Sequence, residues 1–144
     1  MARSSAKAKD RFPEPDWKAL CEDRVEVAAA KAHWTRIITE MEARETLAEA
    51  NGHSVQRLVL AYLNYDRAAA KVAQLGVVDT PAADNPRAIS RLSIHFKAQS
   101  EAEKTAERLE AQLGLSPQRR GKVAKVTKKR RSSAGADAFL GQQG

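Results

Sequence analysis

The side chains with the most chemical potential lie near the end of the chain. Arg119, Arg120, Lys122, Lys125, Lys128, Lys129, Arg130 and Arg131 form one dense run of cations. Such a run can neutralise phosphates or another polyanion; it holds no paired acid and base with which to move a proton. Its isolation matters more than its size. The chain carries a formal net charge of +7. Residues 116–144 hold 8 Lys/Arg against 1 Asp/Glu, whereas residues 25–115 hold 11 against 12 and residues 1–24 hold 6 against 5. The middle of the chain is therefore balanced, and the excess is concentrated in one segment, the footprint expected of a protein that meets a polyanion. Composition alone does not separate DNA from RNA or an acidic membrane surface.

Other constellations are weaker. His33, His53 and His95 lack the His-Glu-x-x-His spacing of a helical zinc site, and a single cysteine, Cys21, cannot make a structural one. Arg120-Gly121-Lys122 lacks the upstream glycine and the hydroxyl of a phosphate-binding loop. Glu40, Glu42, Glu45 and Glu49 form the densest acidic patch, but most acids alternate with bases, as on solvated helix faces. No catalytic residue, metal site or cofactor is assigned, and a non-enzyme is expected. One cysteine excludes an internal disulfide and fits a reducing compartment. The sequence contains no apolar run of about 18 residues that would span a membrane, nor the apolar stretch of a signal peptide at its start.

These side chains need helices to position them. Residues 1–15, with Arg3, Lys7, Lys9, Arg11, Pro13 and Pro15, read as a flexible N-terminal arm. Between Asp16 and Ala50 there is no glycine or proline. There Val27, Ala30, Trp34, Ile37 and Met41 recur at spacings of three and four, an apolar helical stripe with Asp16 as a cap. The pattern leaves open whether this is one helix or two, and Asn51-Gly52 is expected to end it. Ser54 is placed to cap a second helix that Gly76 stops, with Val55, Leu58, Tyr62, Tyr65, Ala69 and Val72 on one face. Val59, Leu60 and Leu63 widen that face, so burial on two sides is expected. Trp34, Tyr62 and Tyr65 could stack on nucleobases, but their apolar register favours packing.

Residues 76–86 read as a loop. Asn85 and Pro86 then suit the cap and first position of a third helix unbroken until Gly114, roughly 27 residues and about 40 Å long. Ile89, Leu92 and Phe96 would form its first apolar turns, and Leu109 and Leu113 its last. Between them Ala98, Ala102 and Ala106 form a row of small residues against which another helix can pack closely. Gly114 is placed to stop the helix in a left-handed conformation, with Leu115 closing back on Leu109, and Ser116-Pro117 to begin the next segment. The expected fold is all-α, a helical hairpin plus a long third helix. Residues 16–115 are expected to form a helical domain for oligomerisation, and residues 116–144 a basic, largely flexible tail. Because the core is rich in alanine and poor in aromatics, association between copies is expected to complete it. Trp34, Phe96, Ala98, Ala102, Ala106, Leu109 and Leu113 are the candidate interface residues. Phe139 and Leu140, an apolar pair in a polar tail, are a candidate docking motif for a partner protein.

The order of Ala32-His33-Trp34-Thr35-Arg36-Ile37-Ile38, the helix from Ser54 to Ala69, Asn85-Pro86 and Leu113-Gly114-Leu115-Ser116-Pro117-Gln118-Arg119 resembles the phage terminase small subunits. The Leu-Gly-Leu-Thr/Ser-Pro-x-x-Arg element is the most specific part, and the likeness spans residues 15–123. The resemblance implies a protein that binds double-stranded viral DNA at the packaging-initiation site. It would also recruit and regulate the large terminase subunit, which supplies the ATPase and nuclease. It further implies a coiled-coil-like homo-oligomeric ring of about nine subunits, acting in the host bacterial cytoplasm and absent from the mature virion, with no membrane partner. On that reading the eight cations from Arg119 to Arg131 contact DNA phosphates, with Lys31, Arg36 and Arg44 adding contacts from the helices. The competing reading is a small dimeric nucleoid-type or regulatory DNA-binding protein, although no helix-turn-helix pair with a short glycine turn is evident.

Overall fold

The computed structural model describes residues 12–117, so the candidate residues Arg119 to Arg131 and Phe139-Leu140 lie outside the described residues. Within them the chain is mostly helical. α1 (Trp17–Leu20) and α2 (Arg24–Ala43) are followed by a 3-10 turn (Glu49–Asn51) and by α3 (Gly52–Leu75). A two-stranded antiparallel ladder, β1 (Val78–Asp79) with β2 (Arg91–Leu92), precedes α4 (Ile94–Leu113). α3 and α4 pack along each other as an antiparallel hairpin, and α2 lies against α3.

Caps set the boundaries. The Asp16 carboxylate accepts from the Lys18 amide at 3.1 Å and starts α1. Asp23 does the same for Val25 at 3.0 Å and starts α2, so the stretch without glycine or proline is two helices separated at Cys21–Asp23. Asn51-Gly52 opens α3 rather than closing a helix, and Ser54 lies inside it. A Cβ on Gly52 would stand 3.2 Å from Cε1 of Phe12, a tight contact that glycine avoids. Phe12 falls in the segment expected to be a flexible arm, yet only 7% of it is exposed.

The third helix also begins later than its composition suggests. Asn85 does accept from the Arg87 amide at 3.3 Å, but this organises a turn and not a helix. Arg91 and Leu92 pair instead with Asp79 and Val78, and Ser93, 1% exposed, caps α4 through the His95 amide at 3.1 Å. α4 thus has 20 residues, not about 27. Ile89 and Leu92 are exposed on the connector instead of lining its first turns.

The apolar stripes are only partly buried: Val27 of α2 and Tyr62, Tyr65, Ala69 and Val72 of α3 are half-buried. Ala30, Trp34, Ile37 and Met41 of α2 are buried, as are Val55, Leu58, Val59 and Leu63 of α3 and Leu109 and Leu113 of α4. Trp17 meets Trp34 edge-on, with ring centroids 5.9 Å apart. α3 is buried on two faces, as its widened apolar stripe predicts. Among the described residues no helix is long and apolar enough to cross a membrane.

Candidate functional site

Two helices end in the same way at neighbouring places, and the chain leaves for its basic segment from the second of them. At the end of α4, Gly114 has φ 72°, its amide donates to Ala111 at 3.3 Å, and the Leu115 amide reaches back to the Glu110 carbonyl at 2.8 Å. This pair of bonds is the Schellman arrangement, and it satisfies carbonyls that the helix end would orphan. Leu115 folds against the core cluster that contains Leu109 and Leu113. At the end of α2, Glu45 takes φ 57°, its amide donates to Glu42 at 3.0 Å and that of Thr46 to Met41 at 2.9 Å. Here a non-glycine residue occupies the left-handed position, which carries a steric cost.

Arg44 ties the two corners together. Its Nη1 donates to the Gly114 carbonyl at 3.0 Å, and Nη2 is paired with Glu40 one turn back. Arg44 is one of the DNA-contact candidates, and in the fold its guanidinium bonds the chain's own backbone and a carboxylate. The reason is positional. A helix C-terminus presents bare carbonyls with partial negative charge, and a half-buried arginine beside one meets that need. Nothing in the local sequence marks this bond, since its partner lies 70 residues away.

The other two helical candidates are placed differently. Lys31 is exposed, in a shallow cleft with Glu14, Asp16 and Lys18. Arg36 is also exposed, and its Nη2 lies 3.1 Å from His33 Nδ1. Because arginine only donates, that nitrogen accepts, and the contact suits the neutral imidazole. Burial, and then the Arg36 charge, push the His33 pKa below the usual value, against an opposing pull from Asp66. The His33 ring also packs on Tyr62, with centroids 5.0 Å apart. Tyr62 in turn donates to Glu110 at 2.6 Å, joining α3 to α4. Burial first and this carboxylate second hold the Tyr62 phenol well above its ordinary range. Tyr62 and Tyr65 thus have hydroxyls engaged between helices, Tyr65 accepting from Gln99 at 3.3 Å.

Along the α3–α4 hairpin runs an open groove of ≈ 570 Å³. Its floor is Leu60, Ala61, Ala68, Ala98 and Ala102; Arg57, Arg67, Lys71, His95 and Glu101 form its walls. Arg67 is bound to Glu26 of α2, with Nη2 at 2.6 Å from Oε2, a pairing that lowers the Glu26 pKa and raises that of Arg67. Arg57 and Lys71 stay exposed. Of the interface candidates, Trp34, Leu109 and Leu113 are used up in the intrachain core, Ala102 and Ala106 are 8% exposed, Phe96 is half-buried and Ala98 is exposed. Among the described residues no three His, Cys, Asp or Glu side chains come together as metal ligands.

A family model described as "Phage terminase, small subunit" matches residues 30–130. The chain belongs to that family. The match takes in α2 from Ala30 onward, the α3–α4 hairpin, the Gly114 corner and all but the last cation of the basic run. No curated protein and no solved structure matches the chain. Family membership gives this small subunit a role in phage DNA packaging, acting in the host cell, where such subunits are typically regulatory or DNA-binding and not catalytic.

Proposed function

We propose that this small subunit assembles into a ring, binds the packaging-initiation region of the viral DNA through its basic segment, and recruits the large terminase subunit. The observation that carries the reading is the family match, which spans both the helical body and the cationic run within one unit. Charge segregation supports it, because residues 116–144 hold 8 Lys/Arg against 1 Asp/Glu beyond a corner fixed by buried leucines and Arg44. In a ring each copy contributes the same run, so cationic density grows with subunit number. Affinity then comes largely from counterion release and falls with salt by about 0.9 log units per phosphate contacted. Contacts of this kind position the duplex without reading its sequence. Lys31 and Arg36, exposed on α2, are the helical cations left to add to them. Phe139 and Leu140 are the proposed contact for the large subunit.

The test is DNA affinity across a salt series for the full chain and for a chain truncated after Gln118. Loss of affinity together with a flatter salt dependence supports the basic segment as the DNA contact. Unchanged affinity and slope would remove it from that role. Binding of the large subunit with and without residues 137–144 tests the docking motif.

A further inference from the structure

Most of the apolar surface that the fold leaves uncovered is in one place. Among the described residues eight large hydrophobic side chains are exposed, and six of them, Leu75, Val77, Val78, Ile89, Leu92 and Ile94, sit on or beside the connector between α3 and α4. Concentrated apolar exposure of this kind marks an interaction surface. The ladder inside it poses a second problem. Each strand has two residues, and both are exposed on each strand. A two-stranded ribbon with no covered face is marginal by itself.

The register says which backbone groups are free. The Ser93 amide donates to the Val77 carbonyl at 2.8 Å, so Val77 and Ser93 form a hydrogen-bonded pair. Antiparallel pairs alternate, which makes Val78 and Leu92 the next, non-bonded pair, with amides and carbonyls turned outward. At each edge, the residue with free backbone groups is therefore also one with an exposed aliphatic side chain, Val78 at 47% and Leu92 at 49%. The edges differ in charge. Residues 76–84 contain Asp79 and Asp84 and no base, while residues 85–95 contain Arg87 and Arg91 and no acid. One edge is acidic and the other basic, so two ribbons fit head to tail and not edge to like edge.

From these observations we infer that the α3–α4 ribbon is a contact between copies of this chain, with the β1 edge of one subunit adding to the β2 edge of the next. The inference rests on the assembly proposed above and names a surface for it. The contact is heterologous, the type that closes into a ring when the rotation allows. Val78 and Leu92 supply the backbone hydrogen bonds, as in strand addition to an open edge. Asp79 facing Arg91 of the next copy sets the direction, and the surrounding aliphatics are covered.

Three variants test it, each checked for an unchanged far-ultraviolet spectrum. Val78→Pro removes an amide that points away from β2, so the subunit keeps its own ladder. The expected result by sedimentation velocity is dissociation at concentrations about tenfold higher than for the unaltered chain. Asp79→Arg and Arg91→Asp each place like charges at the contact, and each is expected to weaken assembly alone. Mixed in equal amounts they are expected to reassemble in alternating order, giving even subunit numbers by native mass spectrometry. Each substitution also disturbs Asp79 and Arg91 within its own ribbon, and mixing cannot repair that, so recovery reads the contact between copies. Failure of the mixture to recover, or normal assembly of all three variants, would overturn the inference while leaving assembly itself standing. A monomeric unaltered chain would overturn both.

Discussion

The two ends of the α3–α4 hairpin are made from the same helices and reach opposite solutions. At the Gly114 end almost everything is satisfied within the chain. Leu109 and Leu113 are 1% and 3% exposed, two terminal carbonyls of each of α2 and α4 are taken up by Schellman bonds, and Arg44 joins the two corners. At the other end Ile94 is 71% and Ile89 69% exposed, and the ladder has two open edges. The difference separates an end whose groups are satisfied within the chain from one that the proposed contact between copies would cover. A rigid corner suits the launch of a charged segment, and an unfinished tip suits association.

Substitutions can break this contrast, and the largest effect belongs to the finished end. Leu109→Ala should lower unfolding free energy by about 2–5 kcal/mol, as a buried leucine truncated in a packed core does. Ile94→Ala, at the tip, should change it by less than about 0.5 kcal/mol, as exposed substitutions do. Denaturant titration of both variants checks the pair, and equal costs would erase the contrast.

Next come the bonds of the corner. Gly114→Val, which forces a β-branched residue to φ 72°, should cost about 1–2 kcal/mol. Arg44→Met, which keeps the aliphatic stem but leaves the Gly114 carbonyl unpaired, should cost about 1–2 kcal/mol. The two effects should be less than additive, because both loosen the same corner; a double-mutant cycle reads that coupling.

A smaller effect belongs to pH. The folded-state pKa of His33 is lowered, so below the usual histidine value the unfolded chain binds more protons than the folded one. Stability should therefore fall as pH drops through that value, and His33→Gln should flatten the dependence. Thermal unfolding between neutral and mildly acidic pH measures it. The smallest effect is that of Glu26→Gln. Its partner Arg67 is about half exposed, so the loss should be no more than about 1 kcal/mol and should shrink with added salt.

Much of this was legible in the sequence for a physical reason. The α2 and α3 stripes and the Gly76 and Gly114 stops depend on local periodicity and on backbone freedom, both written in neighbouring residues. Asp16 also caps where the sequence places a cap. What was not legible depends on distant partners. Asn85-Pro86 has good helix-start chemistry, yet Arg91 and Leu92 find strand partners in Val78 and Asp79, and Ser93 caps the helix instead. Phe12 looks like part of an arm, yet its ring packs close to Gly52. Arg44 resembles any surface cation, and only the fold brings it to the Gly114 carbonyl.

The central claim is that association belongs to the helical body before the corner and DNA contact to the basic segment after it. Native mass spectrometry of a chain truncated after Gln118, mixed with duplex DNA, reads both properties in one spectrum. The account predicts the same oligomer as the full chain with DNA binding greatly weakened. An oligomer that is lost, or one that carries DNA as fully as the intact chain does, would contradict it.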